Sequence, residues 1–404
     1  MKKTLLFSAS FFKSIAFIKK KTLLFVIILF AFTSCKKNHS SDPKPNTDTT
    51  ANHTQKAPDV YVAGYVINTS GPAQAVYWKN GAAQQVNSIG TTSIVNAIAV
   101  QGSDVYLAGQ AIVNGAMKAV YWKNGIPTVL DNGTAYGIAV QGSDVYVVGY
   151  TNLGTGIYVY DAATCWKNGV ATLLTNIAEE NPGGPIGSLA MGIAVQGSDV
   201  HIVGFGDVSW GGGDPVALYW KNGVATELVK YYPAYGLFNA QSHAYAIALQ
   251  GSDALIAGGS TPNTDSSPPP NNYSGPMYWK NNVVTPLTSA GSGGRSEAKS
   301  IAVSGADIYV LAAGPTSKPM YWKNSTGVTL KTNFSSTNDS YISINPMGIA
   351  VNNSDVYIAG YSQIFNAQGL ATSNVQAFYW KNGEIVKLPG KAAQANALVV
   401  VPGQ

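Results

Sequence analysis

Short apolar segments separated by turn residues recur along the chain from residue 58 to its end. In residues 97–130, four such segments are each too short for a helix and match the usual length of β-strands. They are 97–100, 105–109, 119–122 and 126–130. We therefore predict four antiparallel strands, A to D, connected in sequence order. Strands A and B are apolar at successive positions, which indicates that both faces of the sheet are packed.

The same four-strand pattern is repeated along the chain. The tripeptide Trp-Lys-Asn occurs seven times, beginning at Trp78, Trp122, Trp166, Trp220, Trp279, Trp322 and Trp380. A second phrase, clearest at residues 139–149, precedes each copy, and it holds strands A and B. Two phrases linked at a period of about 40–60 residues indicate one structural unit copied into an array. In most copies a Gly follows the Asn, and the pair Asn-Gly favours a type I′ turn between strands C and D.

The ends of the array complement each other. Asp59 begins a strand B that has no strand A before it, whereas residues 396–400 repeat the strand A sequence of residues 96–100. Pairing the two ends would remove the exposed sheet edges of an open array. The fold class predicted is therefore all-β: a seven-bladed β-propeller of four-stranded antiparallel blades, with the ring closed by the C-terminal strand pairing into the first blade. A solenoid is the alternative, but it requires capping repeats that this sequence does not contain.

Two known families resemble these repeats over residues 58–404. The sequence Asp144 to Gly149 resembles the kelch repeat, although kelch has a glycine doublet there. Trp220 to Leu228, followed by Ala244 to Ala248, resembles the extracellular repeats called HAF. Both resemblances imply a fold rather than an activity.

Composition and charge argue against nucleic-acid binding by the repeat region. Hydrophobic residues make up 46% of the chain and charged residues 11%, against roughly 25% charged residues in ordinary globular domains. Residues 1–57 carry a net charge of +8, whereas residues 58–404 carry −3. Because nucleic-acid binding requires a basic surface, the repeat region is not expected to bind nucleic acid.

The N-terminus predicts export. Three lysines, 19–21, precede an apolar run at 22–32, which is too short to span a bilayer and fits a signal peptide. The run ends in Phe32-Thr33-Ser34-Cys35, which resembles a lipoprotein signal with its lipobox. The resemblance implies cleavage after residue 34 and lipidation of Cys35; an ordinary secretory signal is the alternative.

Residues 35–57 are polar and lack an apolar anchor, so we predict a disordered tether between the lipid and the propeller of residues 58–404. No Asp follows Cys35, and by resemblance to sorted lipoproteins this favours the outer membrane. Both a periplasmic and a surface-facing orientation remain open. A monomer is expected, with membrane contact through the lipid only.

The two ends of the blades differ. The A–B and C–D turns are nearly constant, and each Asp that begins strand B should lie near the Lys of its own blade. We therefore predict Asp–Lys contacts in most blades; a ring of seven lysines binding an anion is the alternative. The B–C and D–A connections vary in every blade, and variable loops on a rigid scaffold commonly carry function.

Aromatic side chains at the variable end are the predicted ligand site, because flat apolar rings with hydrogen-bonding neighbours suit sugars or protein surfaces. The candidates are Trp210, Tyr231, Tyr232, Tyr235, Phe238, His243, Tyr158 and Tyr160. The alternative is that these rings only pack against their own loops.

No catalytic signature stands out, and no metal site or cofactor is predicted. His243 is predicted to lie in a loop, where it could act as a base but has no assigned partner. Pairs among Glu179, Glu180, Asp207 and Asp214 could serve glycoside hydrolysis if they converged. His201 and Cys165 replace tyrosines of the repeat and are predicted to be structural.

The sequence therefore favours a lipid-anchored binding module for a glycan or a protein. The alternatives are a hydrolase or lyase that acts on polysaccharide, which needs two carboxylates or His243 with a carboxylate near the axis, and a purely structural envelope protein.

Overall fold

The computed structural model describes residues 56–67, 71–154, 160–174, 187–207, 215–229, 240–262, 275–287, 297–313, 319–332, 341–366 and 368–403. All of them belong to one compact unit, residues 54–404. Within these ranges the chain forms strands and turns and no helix. Among these residues, accordingly, no helix has the length and apolar character needed to cross a membrane. The predicted signal peptide and Cys35 lie outside the described residues.

The first fourteen strands are β1 (Asp59–Ile67), β2 (Ala73–Lys79), β3 (Ala82–Gln85), β4 (Ser93–Gln101), β5 (Asp104–Val113), β6 (Ala116–Lys123), β7 (Ile126–Gln141), β8 (Asp144–Leu153), β9 (Tyr160–Lys167), β10 (Val170–Leu173), β11 (Ser188–Gln196), β12 (Asp199–Asp207), β13 (Pro215–Lys221) and β14 (Val224–Glu227). The remaining strands are β15 (Ala240–Gln250), β16 (Asp253–Pro262), β17 (Gly275–Lys280), β18 (Val283–Pro286), β19 (Glu297–Ser304), β20 (Asp307–Ala313), β21 (Met320–Lys323), β22 (Thr326–Thr329), β23 (Tyr341–Asn352), β24 (Asp355–Phe365), β25 (Ala371–Lys381), β26 (Glu384–Lys387) and β27 (Gln394–Val401).

The strands form antiparallel meanders of four. Four sheets follow chain order: β11 to β14, β15 to β18, β19 to β22 and β23 to β26. A fifth has the order β27-β1-β2-β3, so the C-terminal strand lies beside the first one. The sixth sheet has seven strands, β4 to β10, because β7 pairs with β6 through its first half and with β8 through its second half. Strands D and A, predicted as separate, are therefore one continuous strand at this point.

The first strands of successive meanders contact each other: β4, β7, β11, β15, β19 and β23 do so in turn, and β27 contacts both β23 and β4. Four-stranded meanders that pack side by side through their first strands form a β-propeller. We call these seven strands the inner strands.

The Trp-Lys-Asn tripeptide forms a local structure that the repeat explains. Asn124 and Gly125 have φ of 50° and 79°, as the predicted type I′ turn requires. The side chain of Asn124 donates to Asp104 Oδ1 at 2.8 Å and accepts from the backbone N–H of Val105 at 2.8 Å. Lys123 Nζ lies 2.9 Å from Asp104 Oδ2. Each residue of the tripeptide after the Trp therefore ties strand C to the start of strand B.

The predicted Asp–Lys contacts are confirmed. Ion pairs of 2.7–3.5 Å join Lys79–Asp59, Lys123–Asp104, Lys167–Asp144, Lys221–Asp199, Lys280–Asp253, Lys323–Asp307 and Lys381–Asp355. Because each of these lysines already has a carboxylate partner, the geometry does not favour the alternative of an anion site built from them.

The repeated tryptophans fill the spaces between sheets. Trp122 is fully buried and packs against Tyr61 and Ala63 of the preceding sheet. Trp78, in the first sheet, packs against Tyr357 and Ala359 of β24. Buried aromatic side chains of this size contribute a large apolar area, so these contacts hold neighbouring sheets together.

Every inner strand contains a β-bulge at the same position, where one residue is left unpaired with strand B. The bulged residues are Asn96, Tyr136, Met191, Tyr245, Lys299, Met347 and Asn396. We call these seven residues the bulge layer. The bulge explains the glycine near the end of most B strands: a Cβ on Gly109 would lie 1.9 Å from the carbonyl oxygen of Ile94. Bulges re-aim side chains and are frequent beside active sites.

Candidate functional site

The inner strands begin at the variable end, so their first residues lie beside the variable connections. Most candidates from the sequence fall in those connections and lie outside the described residues: Trp210, Tyr158, Tyr231, Tyr232, Tyr235 and Phe238, and also Glu179, Glu180 and Asp214. Tyr160 is half-buried at the start of β9, paired with Leu153. Of the predicted site residues, His243 alone lies in the cluster described next.

The placement of His243 in a loop is wrong. It lies in β15, paired with Gly259 of β16, and its side chain is only 16% exposed. Residues 240–243 extend the apolar strand A segment that the sequence reveals, because pairing with β16 continues through this more polar stretch. Strand pairing, rather than hydrophobicity, sets this boundary.

His243 has a carboxylate partner on the next inner strand. Its Nδ1 lies 2.9 Å from Oε1 of Glu297, the first residue of β19. An ionised carboxylate only accepts, so Nδ1 carries a proton, and in the neutral ring Nε2 then presents its lone pair. No described residue bonds to Nε2. A carboxylate that fixes the tautomer and orientation of an imidazole is the arrangement that prepares a histidine for proton transfer.

Two further donors hold Glu297 in place. Tyr245 donates its hydroxyl to Oε2 at 2.6 Å, and Lys299 donates to the same oxygen at 2.8 Å. The ammonium of Lys299 also lies 3.4 Å from the centre of the Tyr245 ring, within the range of a cation–π contact. We call His243, Tyr245, Glu297 and Lys299 the axial cluster.

The environment keeps Glu297 ionised. Burial alone would raise the pKa of its carboxyl, but the hydrogen bond from His243, the charge and hydrogen bond of Lys299 and the hydroxyl of Tyr245 outweigh it and lower the pKa to about 2. Burial and the neighbouring Glu297 raise the pKa of Tyr245, so its phenol stays protonated. Burial lowers the pKa of Lys299, and Glu297 opposes that change. Glu297 is therefore suited to orient His243 and not to donate a proton.

Phe205 closes one side of the axial cluster. Its ring lies edge-on to His243, with centroids 4.6 Å apart, and 6.1 Å from the ring of Tyr245. The ring of Phe205, in the preceding sheet, limits rotation of the imidazole. Glu297 reaches the imidazole from β19, in the following sheet. The histidine is thereby held between an apolar ring and a charged hydrogen-bond acceptor.

Glycine at position 259 makes room for the carboxylate. In five B strands the residue after the glycine is large: Tyr65, Gln110, Tyr150, Phe205 and Tyr361. In β16 that residue is Gly259, and a Cβ on it would lie 2.6 Å from Glu297 Cγ. Sequence reasoning missed Glu297. Aligning the repeats would have given a signal, because the repeat that follows carries the charged residues Glu297 and Lys299 where the others have neutral ones, and Gly259 replaces the usual large residue.

The axial cluster is unlike the equivalent positions of the other inner strands. Those positions hold Ile94 and Asn96, Thr134 and Tyr136, Leu189 and Met191, Asn345 and Met347, and Gln394 and Asn396. None of them is a histidine, a carboxylate or a lysine. In a repeated scaffold, ionisable groups gathered at one such pair of neighbouring strands mark a candidate site.

Two other acidic side chains, Asp161 and Asp207, are half-buried on other strands. Burial raises the pKa of Asp161, which accepts from Asn152, and of Asp207 at the end of β12. Asp207 is two residues beyond Phe205, so both point to the same face of that strand. Within the described ranges, no three His, Cys, Asp or Glu side chains are grouped so as to hold a metal ion.

The two other residues singled out from the sequence have structural surroundings. His201 is 6% exposed, and its Nδ1 lies 2.6 Å from the Tyr219 hydroxyl. Cys165 lies in β9, and burial raises the pKa of its thiol to about 11. A thiol that stays protonated is a poor nucleophile.

No protein-family model matches the sequence, and no curated protein matches it either. Solved structures align with much of this chain at low identity. The periplasmic gluconolactonase PpgL of Pseudomonas aeruginosa is 10% identical with a TM-score of 0.45, over 86% of this chain and 100% of the other. The GH93 α-L-arabinofuranosidase of Fusarium graminearum, in complex with arabinobiose, is 9% identical with a TM-score of 0.43, over 72% of this chain and 94% of the other.

Proposed function

We propose that this chain is a lipid-anchored enzyme of the cell envelope that acts on a polysaccharide through His243. The observation that carries the proposal is the 2.9 Å contact between His243 Nδ1 and Glu297 Oε1, within a cluster that leaves Nε2 available. Unpaired polar groups are costly in a low-dielectric site, and here the hydrogen bonds of the cluster converge on Glu297, the group that orients His243. The convergence of His243 with a carboxylate was the condition the sequence set for an enzyme.

The scaffold we propose is a ring of seven four-stranded blades, with β7 shared between two of them. The pairing of β27 with β1 and the packing of Trp78 against β24 support closure between the last and first blades. We include in this proposal the resemblance of the repeat to the kelch and HAF families. The ring directs the starts of the inner strands, and with them the axial cluster, to the variable end.

The proposed anchor follows from the sequence. Residues 1–34 form the signal peptide, and Cys35 carries the lipid that inserts into the outer membrane. Residues 35–57 link this lipid to the propeller. The 22 residues of the tether after Cys35 span about 26 Å on average if they behave as a flexible coil. The domain therefore stays close to the membrane surface and to the glycans of the envelope.

The chemistry of the axial cluster favours elimination over hydrolysis. Hydrolysis of a glycosidic bond usually needs two carboxyl groups on either side of that bond, and among the described residues Glu297 is the one carboxylate that bonds to His243. Elimination in a polyuronate needs only one side chain that accepts and then returns a proton. This base takes the proton from the carbon next to the sugar carboxylate, the electron pair forms a C=C bond, and the C–O bond of the glycosidic linkage breaks. The same base then returns its proton to the departing oxygen.

His243 can be that base. Nε2 would take the carbon-bound proton, and the resulting imidazolium would be stabilised by the ionised Glu297. Lys299 places its positive charge on the other oxygen of Glu297, and the carboxylate of the proposed substrate, where negative charge develops, would lie beside this ammonium. A lyase acting on an acidic polysaccharide is therefore the reaction class we assign.

The test uses the full chain, purified in detergent, with a panel of acidic and neutral polysaccharides. A lyase produces new reducing ends together with the ultraviolet absorbance of the new C=C bond. Reducing ends without that absorbance would indicate a hydrolase. Retention of a polysaccharide with neither product would indicate the binding module predicted from the sequence and would overturn the catalytic proposal.

A matched pair of variants assigns the activity to the axial cluster. His243→Asn keeps a donor near the position of Nδ1 and removes the base at Nε2, so we expect a loss of at least about 100-fold in kcat. His201→Tyr, which restores the residue that most repeats carry, should leave the activity unchanged. Equal activity in both variants would show that His243 is not the base.

A further inference from the structure

The tether joins the fold at the end of the blades that holds the A–B and C–D turns, which we call the constant end. Lys56 lies three positions before Asp59, where β1 begins at this end. It packs against the last residues of the chain, so that a Cβ on Gly403 would lie 1.9 Å from the backbone oxygen of Lys56. Lys56 also shares a cleft with Asn353, in the turn between β23 and β24. The chain therefore leaves the fold toward the anchor from the constant end.

Four exposed apolar side chains lie at the same end. They occupy the first position of strand D in four consecutive repeats, directly after the C–D turn: Ile126, Val170, Val224 and Val283. Each pairs with the Lys of its own strand C, as Val224 does with Lys221. They are 64–70% exposed. We call these four residues the apolar rim.

The apolar rim occupies one part of the array. The same position in the other three repeats holds Ala82, Thr326 and Glu384. A single exposed aliphatic side chain is ordinary on a protein surface, whereas a set of them at one end marks a contact surface. Because the four residues belong to four different outer strands, one small ligand cannot cover them, and a broad flat partner can.

The lysines beside the apolar rim already have partners of opposite charge. Ion pairs of 2.7–2.9 Å join Lys123, Lys167, Lys221 and Lys280 to the carboxylates that begin strand B of the same repeats. Each pair carries no net charge, so it exerts little force on anionic lipid headgroups. Contact between this end and a bilayer would therefore depend on apolar area and respond little to salt.

The tether supplies the proximity that so small an apolar area needs. A single modest hydrophobic signal binds a membrane only marginally, and stable attachment takes two. A short flexible linker gives the surface at its far end an effective concentration on the order of millimolar, and the constant end is where this linker is attached. The apolar rim would therefore act together with the lipid, and it is too weak to keep a Cys35→Ser chain on the membrane by itself.

We infer that the apolar rim rests on the bilayer that holds the lipid anchor, with the axial cluster on the side away from it. This inference rests on the lipid anchor of the proposed function and is independent of the lyase reaction. The inner strands begin at the variable end, opposite the constant end, and the axial cluster lies at their first residues. The cluster would then face the polymers of the envelope and leave the lipid surface to the turns.

The first test measures which end of the full lipidated chain contacts lipid. Vesicles of phosphatidylethanolamine and phosphatidylglycerol contain lipid brominated on its acyl chains, which quenches fluorophores in contact with it. In a Cys165→Ser background, the label is placed at Val224→Cys or, as the control, at Leu370→Cys, which is 65% exposed between β24 and β25 at the variable end. We expect quenching at position 224 to exceed that at position 370 at least about twofold. Equal quenching, or more at position 370, would overturn the inference.

The second test places charge in the apolar rim. Val170→Glu combined with Val224→Glu should lower the quenching of a label at Val283→Cys at least about twofold, because carboxylates resist transfer toward the acyl chains. Leu370→Glu should leave that quenching unchanged. Quenching that survives both charges, or that disappears in the wild-type rim at high salt, would contradict an apolar contact.

The outcomes separate the apolar rim from the rest of the proposed function. If the vesicles do not retain the wild-type chain, the lipid anchor fails and the inference fails with it. If they retain it with equal quenching at both labelled positions, the orientation alone is refuted. Cleavage of a soluble polysaccharide by the Val170→Glu, Val224→Glu chain should equal that of wild type, because both substitutions lie at the end opposite the axial cluster.

Discussion

Gly259 packs directly against Glu297, so that a methyl group on Gly259 would come within 2.6 Å of Glu297 Cγ. The two residues are on different strands, β16 and β19, and the absence of a side chain on one decides where the carboxylate of the other can lie. This relationship makes the orientation of His243 sensitive to a residue that never touches the substrate.

Gly259→Ala should therefore displace Glu297 and release His243 Nδ1. We expect the nitrogen NMR signals of His243 to change toward a mixture of the two neutral tautomers, because the carboxylate no longer selects one of them. Gly187→Ala is the control, since a Cβ at Gly187 meets only ordinary contacts, the nearest at 3.7 Å. An unchanged tautomer in Gly259→Ala would show that the glycine does not position the cluster.

Glu297 should make stability depend on pH in the acidic range. Its pKa of about 2 in the folded chain lies below the ordinary value of 4.5. A carboxyl with a depressed pKa stabilises the folded state fully above its unfolded pKa, and that contribution is lost as the pH falls toward 2. The contribution at neutral pH is of the order of 3 kcal/mol.

Glu297→Gln should thus lower the thermal midpoint at pH 7 and lower it progressively less between pH 4.5 and pH 2. Glu384→Gln is the control, because Glu384 forms an exposed pair with Lys331, and exposed pairs contribute little. A constant difference from wild type across this pH range would contradict the ionised state of Glu297.

The turn asparagines should matter more than the lysines beside them. Asn124→Ala removes two hydrogen bonds and places alanine at a φ of 50°, which costs at least about 1 kcal/mol. Lys123→Ala breaks an exposed ion pair and should change stability less. Chemical denaturation of the two variants measures the order, and a larger loss for Lys123→Ala would refute it.

Removing the last strand should prevent folding. A chain that ends at residue 393 lacks β27, which pairs with β1 through residues 59–65 and packs near Trp78. We expect loss of the strand signal in circular dichroism or aggregation, because both the inner edge of β1 and a buried tryptophan face would be exposed. A chain that ends at residue 401 keeps β27 and should fold; a folded shorter chain would contradict closure of the ring.

Cys35→Ser should release the chain from the membrane. If Cys35 carries the lipid, the variant will move from the membrane fraction to the soluble fraction, because the tether has no apolar anchor of its own. Cys165→Ser should remain in the membrane fraction. Membrane attachment of Cys35→Ser would refute lipidation at this residue.

The pattern of the sequence predicted the repeated unit well, because its signals are local. Asn-Gly needs positive φ at adjacent residues, and both Asn124 and Gly125 have it. The contact between Lys123 and Asp104 followed from the position of the two residues in one meander. The meander itself follows from short apolar segments and turn residues within about 45 positions.

The axial cluster could not be predicted in the same way. His243 and Glu297 are 54 positions apart and meet only because neighbouring inner strands pack side by side. The sequence showed His243 as a polar residue before an apolar segment, which looks like a loop until strand pairing with β16 is known. The role of Gly259 is visible only from its packing contact with Glu297.

The sequence by itself determined the apolar core of each strand, the constant turns and the order in which they repeat, since propensity, turn chemistry and short apolar runs act between residues close in the chain. Only the tertiary structure decided which side chains share the axis. The bulges that turn Tyr245 and Lys299 toward it, and the packing that brings Glu297 to His243, depend on contacts between strands that no local pattern encodes.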